Sequence, residues 1–134
     1  MYKDIKEIVI TSLLILLFDG IFIYMNKQIF IDQVISVQRT ALIVKPESVI
    51  VCYILLIFGL YYFIIKNHRS PWDAFLFGIV LYGVYETTTY AIFKNWNIKT
   101  VIIDTLWGGV LFALVTWIQS NRTKIFYNGT IELW

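Results

Sequence analysis

Four long runs of apolar residues dominate the chain. They cover residues 8–25, 48–65, 74–93 and 101–118, each about 18 to 20 residues long, and none contains Lys or Arg. As an α-helix, a run of this length crosses a hydrocarbon core roughly 30 Å thick. A backbone in lipid must satisfy its own hydrogen bonds, and the runs lack the alternation of barrel strands. The pattern predicts an all-α integral membrane protein built as a bundle of four transmembrane helices.

The segment between the first two runs has a different, amphipathic pattern. Apolar residues recur there at helical spacing, at Phe30, Val34, Val37 and Ala41. This spacing predicts a short interfacial amphipathic helix over residues 28–43. The alternative is an ordinary surface helix packed on the bundle. Residues 119–134 are predicted to form a short polar tail of the same single membrane domain.

Four spans place both termini on one side of the membrane, here called side A, opposite side B. Side A carries six Lys and Arg residues and side B carries five. The positive-inside rule therefore gives only a weak preference for side A as the cytoplasmic side.

Composition supports a membrane location and excludes several other classes. Of the 134 residues, 59% are hydrophobic and 15% are charged, against roughly 25% charged in soluble domains. The net charge of +2 is spread without a basic block, which argues against nucleic acid as a partner. A single Cys52 and a single His68 exclude a His/Cys metal site within one chain. We expect the lipid bilayer as partner, with a homo-oligomer or a protein scaffold as further partners.

Three acids inside the spans are the informative residues, namely Asp19, Glu86 and Asp104. Each costs about 2.5–3.5 kcal/mol to insert near the centre of a bilayer, so their presence needs a reason. Helical rise places them roughly 9, 10 and 5 Å from the side-B ends of their spans. Because the spans alternate in direction, these depths predict a single carboxylate cluster in the side-B half, provided that their faces turn inward.

Polar neighbours indicate which faces turn inward. Span 3 carries a stripe at helical spacing, formed by Tyr82, Tyr85, Glu86, Thr89 and Tyr90. We expect this stripe to face the bundle interior, because lipid would reject it. Trp107 lies one turn from Asp104 in span 4. The predicted binding residues are therefore the three acids with Tyr82, Tyr85, Thr89 and Trp107.

Three interpretations of the acids remain open. The acids are protonated, since desolvation and like-charge crowding favour the neutral carboxyl. Or they hold a cation, and their oxygen ligands suit H⁺, Na⁺, Mg²⁺, Ca²⁺ or Mn²⁺. Or Arg39 folds back from the interfacial helix as a charge partner. A purely structural role, in which protonated acids join helices by hydrogen bonds, is the competing interpretation.

The segments around the acids carry recognisable motifs. Span 1 contains Phe18-Asp19-Gly20-Ile21-Phe22, and span 4 contains Asp104-Thr105-Leu106-Trp107-Gly108. Span 3 contains Gly78, Tyr82, Tyr85, Glu86 and Thr89 at fixed spacing, and Trp96 follows in the next loop. Over nearly the whole chain, this set resembles DUF2177, a family of small four-span membrane proteins found in bacteria and in some large DNA viruses. Phe22, Glu86 and Thr89 stand where the family pattern has tryptophan, aspartate and asparagine. The resemblance implies the fold and a polar site, and it supplies no reaction.

Three functional hypotheses follow. The first is a membrane protein that binds or relays a proton, a cation or a small ligand at the carboxylates. The second is a structural membrane component, such as one of the inner membrane or capsid of a large DNA virus. The third is a membrane enzyme acting on a lipid, with a carboxylate as general acid or base. No catalytic residue or cofactor is identified, and the enzyme hypothesis ranks last.

Overall fold

The structure, a computed structural model, describes residues 2–40 and 42–129, with side chains described as far as residue 122. Its helices are α1 Tyr2–Met25, α2 Lys27–Gln38, α3 Pro46–Leu60, α4 Pro71–Ile92 and α5 Ile98–Gly129. Helix α3 continues into a π-helical turn at Tyr61–Ile65. By length and apolar composition, four of the described helical segments are able to cross a membrane, namely Tyr2–Met25, Pro46–Ile65, Pro71–Ile92 and Ile98–Arg122. The prediction of an all-α bundle of four transmembrane helices is confirmed.

Two element boundaries differ from the sequence pattern. Helix α2 ends at Gln38, before the expected residue 43, because Arg39 adopts a left-handed backbone with φ 61° that ends the helix. Helix α5 continues past residue 118 to Gly129. No Pro or Gly interrupts residues 119–128, so the polar segment extends the helix. The remainder of the predicted tail, residues 130–134, lies outside the described residues.

Hydrogen bonds between distant segments establish that the spanning helices alternate in direction. At side A, the Tyr61 hydroxyl donates to Asp4 Oδ1 at 2.7 Å, which joins the end of the α3 segment to the start of α1. Near the same side, Gln119 Nε2 of α5 donates to Thr11 Oγ1 of α1 at 2.9 Å. The start of one helix thus meets the end of another, as an antiparallel bundle requires.

Helix α2 is fixed to side B of the bundle by the amide of Gln33. Gln33 Nε2 donates to the Asn95 carbonyl at 2.7 Å, and Gln33 Oε1 accepts from Asn97 N at 2.9 Å and from Thr100 Oγ1 at 3.0 Å. Asn95 Nδ2 in turn donates to the Ser36 carbonyl at 2.9 Å. The helix therefore packs on the connection between α4 and α5, and its position in a membrane interface stays a prediction.

Helices α4 and α5 approach each other most closely, at three glycines. A Cβ atom on Gly78 would lie 2.2 Å from the carbonyl oxygen of Gly108, and one on Gly108 would lie 2.2 Å from the ring of Tyr82. On Gly109, a Cβ would lie 2.8 Å from the ring of Phe75. Small residues at helix crossings allow this backbone approach in membranes. The crossing places Tyr82 over α5, beside the residues of the candidate site.

Between the three acids and side A, the bundle is filled with apolar side chains. The fully buried ones at its middle are Ile15, Leu60, Leu111, Phe112 and Val115. Side chains on the opposite faces of the helices, such as Leu13, Leu55 and Val80, are exposed at 62%, 63% and 58%. These outward faces are apolar, as contact with lipid chains requires.

We predict that Gly78→Ala lowers the free energy of unfolding by about 1–3 kcal/mol, because the added methyl group would overlap the α5 backbone. The measurement is unfolding of the full chain in mixed micelles by a denaturing detergent. Gly20→Ala is the matched control, since no heavy atom lies within 4 Å of a Cβ added there. Equal effects of the two substitutions would contradict the close packing of α4 on α5.

Candidate functional site

Asp19 of α1 lies at a junction of three helices and is only 6% exposed. Trp107 Nε1 of α5 donates a hydrogen bond to Asp19 Oδ1 at 2.9 Å. The hydroxyl of Tyr53 in α3 donates to Asp19 Oδ2. Both oxygens of the carboxyl group thus accept from neutral aromatic donors, and the acid joins α1 to α3 and α5.

The indole of Trp107 is held in place by the residue one turn beyond Asp19. The Phe22 ring stacks on Trp107 with ring centroids 4.5 Å apart and planes 1° from parallel. Phe30 of α2 packs on the same Phe22 ring at 5.9 Å. This stack fixes the direction of the indole N–H. It also connects α2 to Trp107 through the Phe22 ring.

A second acidic centre lies between α4 and α5 and contains two carboxyl groups. Glu86 is 1% exposed, and its carboxyl group is an electrostatic neighbour of Asp104. Trp96 Nε1, in the connection between the two helices, donates to Glu86 Oε1 at 2.9 Å. Asp104 is partly exposed and is also an electrostatic neighbour of Asp19. We call Glu86 and Asp104 the carboxyl pair.

The three predicted acids thus occupy two neighbouring centres, the Asp19 junction and the carboxyl pair. Within the part of the chain that the structure describes, no three His, Cys, Asp or Glu side chains are grouped in a way that could hold a metal ion. Arg39 is exposed at the end of α2, and among the described side chains it forms no ion pair with any of the three acids. The interpretation of Arg39 as a charge partner of the acids stays a prediction.

The polar stripe of α4 is only partly directed inward. Thr89 is buried with Glu86, and Tyr82 is half-buried against Gly108, but Tyr85 and Tyr90 are 60% and 47% exposed. The prediction that the whole stripe faces the interior is wrong for these two residues. At about 100° per residue the stripe covers an arc of about 140°, and α5 covers only its middle. Tyr85 and Tyr90 lie at the two edges.

Two donors in the site, Tyr53 and Trp96, were not among the predicted site residues. Tyr53 lies five residues into its apolar run, roughly 8 Å deep, close to the depth of Asp19. The same estimate of depth that grouped the acids could therefore have found Tyr53. Trp96 lies in a loop, and no pattern of spacing indicates that its indole turns back to Glu86.

Fold and site together define a multi-pass helical membrane protein with carboxyl groups held inside the bundle by neutral donors. The family model DUF2177, described as "Predicted membrane protein", matches residues 5–120. The chain therefore belongs to the DUF2177 family, as the motifs around the acids indicated. No curated protein and no solved structure shows significant similarity to the chain.

We predict that Tyr53→Phe lowers the free energy of unfolding by about 0.6–1.7 kcal/mol, between the average and the maximum measured for interhelical hydrogen bonds in membranes. The reason is the loss of the hydroxyl that donates to Asp19. Tyr62→Phe is the matched control, since the Tyr62 ring contacts the Lys66 ammonium and its hydroxyl bonds no described residue. If both variants unfold alike, the Asp19 junction does not hold the helices together.

Proposed function

We propose that the chain is a proton-binding membrane protein in which the carboxyl pair takes up and releases one proton during a transport cycle. The observation that carries the proposal is the position of Glu86, which is 1% exposed, as an electrostatic neighbour of the partly exposed Asp104. Two neighbouring ionised carboxylates only accept hydrogen bonds and repel each other, so their placement side by side favours a proton on one of them. We therefore assign one proton to the pair and not to either residue alone.

The Asp19 junction supports a different role for the third acid. Both of its oxygens accept from groups that donate, and an indole N–H is a donor only. This arrangement uses both oxygens of Asp19 to connect helices. We therefore assign Asp19 to holding the bundle together and the carboxyl pair to exchanging the proton.

The surroundings of the two centres support exchange with side B. Trp96, which bonds Glu86, belongs to the connection exposed at side B, and Asp104 is itself partly exposed. Towards side A, the apolar layer that includes Ile15 and Phe112 separates the acids from the next polar groups. In this conformation, a proton would reach the pair from side B and would not pass to side A.

Infrared difference spectroscopy across a pH step tests the proposal in the purified full chain. We expect a carboxyl stretching band from a buried group that appears when the pair is protonated. The band should be lost in Glu86→Gln and in Asp104→Asn alike, because either change removes one member of the pair. Glu47→Gln changes an exposed acid at the start of α3, and this control should keep the band.

A band that survives in both pair variants would overturn the proposal. The transport step has its own test, in which the chain is reconstituted into liposomes containing a pH-sensitive dye and a membrane potential is imposed. We expect proton uptake with the wild type and with Glu47→Gln, and loss of uptake with Glu86→Gln. A band without uptake would retain proton binding and reject transport.

A second candidate function is a structural membrane component that assembles with copies of itself. The observation that favours it is that Asp19 joins three helices through hydrogen bonds of its carboxyl group. Each such bond contributes about 0.6 kcal/mol on average in membrane helices. This candidate predicts normal assembly of Glu86→Gln, measured by crosslinking in membranes, and no pH-dependent band from the pair.

A further inference from the structure

A cavity of about 140 Å³ lies at the side-A end of the bundle, away from both acidic centres. It is bounded by the start of α1, the segment after the π-helical turn and the last part of the α5 span. The residues that line it include Glu7, Ile65, His68, Arg69, Thr116 and Gln119. One water occupies roughly 30 Å³ in the liquid, so the cavity has room for a small polar group.

Two buried polar side chains line the cavity, and one of them has unused hydrogen-bonding capacity. Thr116 is 3% exposed, and its hydroxyl oxygen is buried without a hydrogen-bond partner. Glu7 is 5% exposed; its backbone carbonyl accepts from Gln119 Nε2 at 3.0 Å. The Glu7 side chain lines the same cavity as the Thr116 hydroxyl, and an ammonium ligand would pair with a carboxylate there.

The mouth of the cavity carries a positive charge at Arg69. Arg69 and the neighbouring His68 are exposed there, shortly after the π-helical turn. The turn sets their position, because Arg69 N bonds the Ile64 carbonyl at 2.9 Å across five residues. Arg69 Nε pairs with Asp73 at 3.0 Å, and no described acceptor takes the two terminal nitrogens of its guanidinium. The lining therefore includes the buried Glu7 carboxyl group and, at the rim, the guanidinium of Arg69.

We propose that this cavity binds a phosphoethanolamine group, with the ammonium at Glu7 and Thr116 and the phosphate at Arg69 and His68. A primary ammonium carries three donors and suits a carboxylate and a hydroxyl together. Guanidinium groups bind phosphate oxygens well. The positive group of the ligand would thus meet the carboxyl group of Glu7, and its negative group would meet the guanidinium of Arg69 at the rim. The same group occurs in a lipid headgroup and as a soluble molecule.

The test uses the full chain in phosphatidylcholine nanodiscs. One arm adds phosphatidylethanolamine or phosphatidylglycerol and measures the lipid retained on the protein by native mass spectrometry. The other arm titrates soluble phosphoethanolamine by calorimetry. We expect phosphatidylethanolamine to be retained over both other lipids, since phosphatidylglycerol lacks the ammonium and the choline group has no N–H donor. Binding should fall at least about tenfold in Glu7→Gln.

Thr116→Val is the sharper variant, because the hydroxyl that it removes has no partner in the protein. We expect unchanged or higher thermal stability together with weaker binding of phosphoethanolamine. It also keeps the test valid if Glu7→Gln fails to fold. Glu47→Gln, on side B, should bind like the wild type.

Selective binding in the lipid arm alone supports the site with a lipid as its source. Binding in the soluble arm supports the site with a small molecule as its source. Equal retention of the three lipids with no heat from soluble phosphoethanolamine would overturn the proposal. Unchanged binding in a folded Thr116→Val together with a folded Glu7→Gln would overturn it as well.

Discussion

The structure depends on how carboxyl groups are held inside a membrane bundle where no base lies at the same depth. Burying a carboxylate costs several kcal/mol unless hydrogen bonds or a proton compensate it. Here the compensation comes from neutral groups: Tyr53 and Trp107 for Asp19, and Trp96 for Glu86. Such donors add no positive charge, so among the described side chains these acids are held by hydrogen bonds and not by ion pairs.

The packing of the helices follows from the placement of these donors. Trp107 must reach α1, and its neighbour Gly108 allows the ring of Tyr82 to pack closely against α5. The stack of Phe22 on Trp107 keeps the indole pointed at Asp19. A bulky residue at the glycine would separate α4 from α5 and with it the two members of the carboxyl pair. Close packing and the polar centre are therefore parts of one arrangement.

Much of this arrangement follows from the sequence, because the length of an apolar run and the rise of a helix set depth. The estimate of depth alone predicted that Asp19, Glu86 and Asp104 lie at one level of the bundle. Rotation about the helix axis is a different matter, because it depends on which neighbours surround a helix. Tyr85 therefore lies outside although its spacing matched the stripe, and the carboxyl groups divide into two centres.

The irregular segments were beyond prediction for a related reason. The π-helical turn at Tyr61–Ile65 sits in a continuous apolar run, and no residue type marks it. Yet it turns Tyr61 towards Asp4 and places the chain that follows at the side-A cavity. Extra residues in a helical turn are often found at functional sites, because they redirect side chains that a regular helix would point elsewhere.

Among the described side chains, a layer of buried apolar residues lies between the two polar regions of the bundle. Thr11 and Asp19 are about two turns apart on α1, roughly 12 Å, and fully buried Ile15 lies between them. A proton on the carboxyl pair therefore needs a rearrangement of this layer to reach side A. The side-A cavity adjoins the same layer through Thr116, next to buried Val115. A ligand bound in the side-A cavity would contact α5, the helix that also carries Asp104. Helix α5 would therefore connect ligand binding at side A to proton binding at the carboxyl pair near side B.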